Sequence, residues 1–307
     1  MRLTEDGIEV LRMLLTSVLP VAAISFFMRL PILSGIAVFA EQTQGNVDSM
    51  AAYGTLYGTT LVVLSILIAL AMILCAGVEN NIIYAVKHEE YKTAKSYIAG
   101  GIQGIFMLSS FLTVICLIFA PGIMKFLFKD IVSADAVLTL QIASPLVLLV
   151  PLSVFLARIL AGIGRKYTVL AGVAVSYMTC VLVMMVAGKS HAGDIKIILY
   201  AFWIFAIVNC IWNGGFLCWL LRMNLPWLTA VGIPVLCAGI IGLGLYLSEK
   251  VFGKTVGEVA IFVIGLFGGG LVYMVLLFVL RCIRKKDLYA LPGGKILGKI
   301  GNILHLI

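Results

Sequence analysis

Apolar runs of about 20 residues recur from one end of the sequence to the other. Of the 307 residues, 62% are hydrophobic and 12% are charged, which is about half the charged share of a soluble domain. A run of 18 or more apolar residues predicts a membrane-spanning helix, because hydrocarbon offers backbone polar groups no partner outside the helix itself. The sequence therefore predicts an all-α, polytopic helical membrane protein.

Eight of these runs are predicted to cross the membrane. They cover residues 14–40, 53–77, 98–119, 137–160, 167–187, 197–221, 227–247 and 259–280. Six of them lie within residues 1–225 and two within residues 226–286. Two amphipathic segments, residues 80–97 and residues 287–307, are predicted to be short helices that rest at the cytoplasmic surface of the membrane.

The distribution of Lys and Arg predicts the orientation of the chain. If the N-terminus is inside, 15 of the 22 basic residues lie on the inner side, six lie on the outer side, and Arg29 lies within a span. Basic residues collect in cytoplasmic loops, so both termini are predicted to be cytoplasmic in a multi-pass protein of the cell membrane. The same distribution accounts for the net charge of +8 without a nucleic-acid partner.

Signatures of enzymes, cofactors and metals are absent from the sequence. There is no GxxxxGK[ST] phosphate loop, no HExxH and no GxSxG, and the seven cysteines lack metal-ligand spacing. Prolines within the predicted spans indicate bent or broken helices, which favours a transporter over a passive scaffold. These prolines are Pro20, Pro31, Pro145, Pro151 and Pro234.

Arg29 is the one charged residue between Leu14 and Ala40. An arginine at the centre of a spanning helix costs about 2.5–3.5 kcal/mol, and Glu41 lies about 18 Å further along the helix. No Asp or Glu lies well inside the predicted spans. Three interpretations stay open: a site for an anionic substrate, an ion pair with another subunit, and a structural arginine that donates to backbone carbonyls freed by the neighbouring prolines.

Five stretches, taken in order, resemble the multidrug, oligosaccharidyl-lipid and polysaccharide exporter superfamily, and within it the polysaccharide flippases similar to stage V sporulation protein B. They are LLTSVLPVAAISFFMRLPIL (14–33), YGTLYGTT (53–60), FAPGIMKFLF (119–128), LQIASPLVLLVPLSVFLARILAGIGRKY (140–167) and DLYALPGGKILGKI (287–300). The resemblance extends over nearly the whole chain. It corresponds to the second of the two lobes in that family, together with the two closing helices. The resemblance therefore implies a six-span transporter lobe at residues 1–225 and two additional transmembrane helices at residues 226–286.

The resemblance implies one half of a flippase that moves undecaprenyl-diphosphate-linked saccharide outward by alternating access. Arg29 stands at the family's arginine position and is expected to meet the lipid diphosphate, with Ser25 and Tyr57 as further substrate-binding candidates. The implied partners are membrane lipid, the lipid-linked saccharide, and a partner chain or a second copy that supplies the other lobe. Two alternatives stay open: half of a multidrug-extruding cation antiporter, and a non-transporting scaffold or degenerate paralogue.

Overall fold

The computed structural model describes residues 19–43, 53–54, 56–129, 133–190, 194–224, 226–280 and 282. In these ranges the chain is helical apart from short turns and contains no strand, which confirms the predicted all-α class. Many of the large apolar side chains on the helix surfaces are exposed, as expected where lipid replaces water as the solvent. The chain is therefore a polytopic membrane protein.

Ten α-helices occur in the described ranges, and two π-helical turns precede two of them. The α-helices are α1 (Leu19–Thr43), α2 (Leu61–Lys87), α3 (Tyr91–Ile118), α4 (Ala120–Phe128), α5 (Ala134–Ala143), α6 (Leu146–Gly162), α7 (Lys166–Ser190), α8 (Ile195–Leu221), α9 (Ile233–Val256) and α10 (Glu258–Val279). The turns are π1 (Leu56–Thr60) before α2 and π2 (Leu228–Gly232) before α9. Six helices of the described chain can each cross a membrane, and the number reaches eight if α2 and the α5–α6 pair, both bent, each form one span.

Helix α6 lies in the middle of the bundle. It packs against α2, α3, α7 and α8, and its residues Phe155, Ile159 and Leu160 are fully buried. Helix α1 packs on α7 and on the edge of α8, whereas the α9–α10 hairpin packs on α3. The helix that carries Arg29 and the last two helices therefore pack on different parts of the central bundle.

Small residues allow several of these helices to approach closely. A Cβ atom at Gly101 of α3 would overlap the ring of Phe155 on α6, and one at Gly265 of α10 would lie against the ring of Phe119. In membranes, glycines at such positions let backbones come together and increase dispersion contacts. Close packing is therefore the role of these two glycines.

The buried hydroxyl groups of Ser110 and Tyr273 connect the α9–α10 hairpin to α3. Ser110 Oγ and Tyr273 Oη lie 3.0 Å apart, and the Tyr273 hydroxyl lies 3.4 Å from the carbonyl oxygen of Pro234. The Tyr273 ring also stacks on Phe111, with 5.1 Å between the ring centroids. Away from water these hydroxyls need partners within the protein, so the contacts link three helices at one point.

The prediction of a separate surface helix at residues 80–97 is wrong. Helix α2 continues to Lys87, a turn covers residues 88–90, and α3 begins at Tyr91. Val78, Ile82 and Ala85 recur at helical spacing and are buried, so the packed face of α2 extends beyond the predicted span. Residues 287–307, predicted to form the second surface helix, lie outside the described residues.

The prolines break fewer helices than the sequence predicts. Pro145 lies at the 41° break between α5 and α6, but α1 and α6 continue through Pro31 and Pro151. Pro234 lies in the first turn of α9, directly after π2. Because a proline has no N–H to donate to the carbonyl four residues earlier, the change from π-helix to α-helix at this point has a local cause.

Candidate substrate site

Arg29 lies near the middle of its membrane span. It is ten residues after the first residue of α1 and fourteen before the last, or about 15 Å and about 21 Å along the helix axis. The hydrocarbon core is about 30 Å thick, so neither end of the helix is close enough for the side chain to reach water by simple extension. The side chain is nevertheless exposed at the surface of the described protein.

The two faces of α1 have different surroundings. On one face the Phe27 ring lies 6.1 Å from the ring of Tyr177, and Asn209 Nδ2 donates to Met28 Sδ over 3.8 Å. The other face packs against nothing in the described part of the chain. Its exposed members include Val21, Ala22, Ser25, Phe26, Arg29, Leu33, Ile36 and Ala37.

Arg29 makes no ion pair and no hydrogen bond with any residue that the structure describes. The ion pairs of the described ranges lie on other helices, between Lys125 and Glu258 and between Arg158 and Glu79. The interpretation of Arg29 as a structural arginine requires a backbone carbonyl as acceptor, and no carbonyl of the described residues takes that role. The interpretations of Arg29 as a site for a substrate anion and as an ion-pair partner of another subunit stay predictions.

The structure brings one of the two other predicted site residues next to Arg29. Ser25 is one helical turn earlier on α1 and is exposed on the same face. Tyr57 lies in π1, and the position of its side chain is outside what the structure describes. The described Tyr53 hydroxyl donates to the carbonyl oxygen of Ile32 over 3.3 Å, so the start of the second span lies beside α1.

A pair of buried asparagines on α8 lies next to the packed face of α1, beside Met28. Asn213 Nδ2 donates to Asn209 Oδ1 over 2.7 Å, both residues are fully buried in α8, and Asn213 Oδ1 has no hydrogen-bond partner among the described residues. These asparagines were not among the predicted site residues, although two amides four residues apart in an apolar run are a recognisable signal. Through Met28 they connect the middle of α8 to the packed face of α1.

Chemically, the exposed face of α1 offers a fixed positive charge and a hydroxyl at the depth of the membrane centre. A guanidinium binds phosphate or carboxylate oxygens through two parallel hydrogen bonds and stays charged at every relevant pH. In the described part of the chain no group of three or more His, Cys, Asp or Glu residues is placed to hold a metal ion. Comparisons with protein-family models, curated proteins and solved structures found no match to this chain.

Proposed function

We propose that the chain is one lobe of a transporter that moves undecaprenyl-diphosphate-linked saccharide outward across the cell membrane. The resemblance of the five sequence stretches motivates the choice of substrate. The structural observation that carries the proposal is the exposure of Arg29, near the middle of a span and without a partner in the described chain.

The energetic cost of a lipid-facing arginine supports a polar environment for this face. Intramembrane arginines face water-filled cavities or protein partners, because hydrocarbon contact costs about 2.5–3.5 kcal/mol or more. Repeat-built transporters bind substrate near the bilayer midplane, between their two halves. In our proposal the exposed face of α1 lines that interface, and Arg29 binds the diphosphate of the lipid carrier.

The proposal includes the orientation and the partner of the lobe. The excess of Lys and Arg on one side of the spans favours cytoplasmic termini in the cell membrane. The other wall of the cavity comes from a second lobe, contributed by a partner chain or a second copy. The fixed cation on α1 disfavours the alternative of a drug-cation antiporter, because it repels a cationic substrate.

Binding of undecaprenyl diphosphate tests the role of Arg29. The ligand is titrated onto the protein in nanodiscs excised from its native membrane, so that a second lobe is retained. Arg29→Lys keeps the charge but cannot form the bidentate pair of hydrogen bonds. We therefore expect about tenfold weaker binding, because one lost charged hydrogen bond costs about 1.5 kcal/mol. We expect Arg29→Leu to abolish binding.

Arg165→Leu is the matched control, because Arg165 is an exposed arginine in the turn between α6 and α7. Its affinity for undecaprenyl diphosphate is expected to equal that of the parent protein. Unchanged binding in Arg29→Leu would remove Arg29 from the substrate site and, with it, the main support for the proposal. Binding of a lipophilic cation in place of the lipid diphosphate would favour the antiporter.

A further inference from the structure

The start of α3 and the end of α8 meet at one end of the helix bundle. Lys95 Nζ donates to the backbone carbonyl oxygen of Arg222 over 3.3 Å, although the two residues are 127 positions apart. Lys92, one turn before Lys95 on α3, is exposed, and so is the Arg222 side chain. The fold therefore brings together three cations, Lys92, Lys95 and Arg222, which we call the Lys95 cluster.

The Lys95 cluster makes no ion pair with the part of the chain that the structure describes. The ion pairs found there join other residues, and Lys95 uses one of the three hydrogens of its ammonium group on a described acceptor. The carboxylates nearest in sequence, Glu89 and Glu90 just before α3, do not pair with the cluster. Like charges held close together repel each other, so the cluster favours the binding of an anion.

Arg222 has a backbone conformation that is unfavourable for an arginine. It ends α8 with φ 47° and ψ 53°, in the left-handed region where glycine and asparagine are the usual residues. The contact with the end of α8 accounts for Lys95, because the carbonyl end of a helix stabilises a cation. Neither that contact nor the turn requires an arginine side chain at position 222. A residue held in an unfavourable conformation is a candidate for a functional role.

Exposed tryptophans flank the cluster at the depth of the lipid headgroups. Trp219, one turn before Arg222, is 71% exposed, and Trp227, directly before π2, is 65% exposed. Tryptophan is enriched where the hydrocarbon meets the headgroups, because its ring is apolar and its N–H group is polar. Since α8 ends at Leu221, between the two tryptophans, the cluster lies level with the lipid phosphates.

We propose that the Lys95 cluster binds the headgroup of an anionic phospholipid. Basic side chains between helices at a membrane surface recognise such headgroups, whose phosphate oxygens accept hydrogen bonds from lysine and arginine. Because π2 packs on α3, the bound lipid lies where the α9–α10 hairpin joins the rest of the bundle. In the proposed orientation this is the cytoplasmic leaflet. The lipid site depends neither on Arg29 nor on the transported substrate.

Quenching of Trp219 fluorescence by brominated lipids tests the site. The reporter protein is the full chain with its other tryptophans, Trp203, Trp212 and Trp227, replaced by phenylalanine. It is reconstituted into phosphatidylcholine vesicles that contain either brominated phosphatidylglycerol or brominated phosphatidylcholine. We expect stronger quenching by the anionic lipid. Each Lys or Arg near the headgroups raises the local preference for an anionic lipid about fivefold, so Arg222→Gly is expected to lower it by about that factor.

The choice of variants separates lipid binding from folding and from net charge. Glycine suits the left-handed conformation at position 222, so Arg222→Gly is expected to unfold at no lower temperature than the reporter protein. The control, Arg165→Gln with Lys166→Gln, removes two charges where α7 begins beside the last turns of α8, and is expected to change the preference less than about twofold. The proposal is overturned if the reporter protein shows no preference for phosphatidylglycerol, if Arg222→Gly keeps the full preference, or if the control lowers it as much.

Discussion

Two arginine substitutions at similar depth, one on α1 and one on α10, test whether the exposed face of α1 is shielded from lipid. The quantity compared is the loss of unfolding free energy. Leu33, one turn after Arg29, is 56% exposed, and Leu271 of α10 is 71% exposed. They lie about 21 Å and about 20 Å from the first residues of their helices, so both are well inside the hydrocarbon. Leu33→Arg and Leu271→Arg therefore place the same charge at similar depth on different faces.

The expected magnitudes follow from the environments of the two leucines. Leucine favours the membrane by about 0.3–0.6 kcal/mol and arginine disfavours it by about 2.5–3.5 kcal/mol, so a lipid-facing exchange costs roughly 3–4 kcal/mol. We expect Leu271→Arg to lose about that amount, because its face of α10 contacts nothing else in the described chain. We expect Leu33→Arg to lose less than about 1 kcal/mol, since a hydrated cavity keeps the guanidinium solvated.

The assay is the free energy of unfolding from detergent titration in nanodiscs excised from the native membrane, where a second lobe is retained. A difference of about 3 kcal/mol between the variants corresponds to a more than hundredfold difference in the folded-to-unfolded ratio. Equal losses at both positions would show that the Arg29 face contacts lipid as the α10 face does. The cavity argument would then be wrong.

Reconstituted single chains are expected not to flip undecaprenyl-diphosphate-linked saccharide in liposomes, because the proposed cavity needs two lobes; robust flipping by dispersed monomers would contradict this. The proposed orientation predicts that cysteines replacing Lys189 and Lys250 react with an impermeant reagent applied outside intact cells, whereas one replacing Lys92 reacts only after the membrane is opened. The reverse pattern of labelling would invert the topology.

The sequence by itself determined the class of the protein and the position of some of its helices. The predicted sixth and eighth spans, residues 197–221 and 259–280, differ from α8 and α10 by at most two residues at either end. The reason is that hydrocarbon thickness sets the length of an apolar helix, and length and composition are local properties of the sequence. The resemblance to exporters, the roles of Arg29, Ser25 and Tyr57, and the orientation stay predictions.

Tertiary structure decided where helices continue and which residues meet. The predicted second span ended at Gly77, which left Glu79 outside it, but packing on α6 extends α2 to Lys87 and brings Glu79 to Arg158. The contact between Asn209 and Met28 joins residues 181 positions apart. Such pairs depend on which helices become neighbours, and no periodicity within one run specifies that.

The two faces of α1 are a second case in which the sequence did not specify the packing. Phe26 is 59% exposed, whereas the adjacent Phe27 packs towards Tyr177. A soluble helix marks its packed face with apolar residues and its exposed face with polar ones, but a membrane helix is apolar on both. From the sequence, Arg29 predicts a polar environment for one face of this span. Only the packing of α1 on α7 and α8 shows which face is covered and which stays exposed.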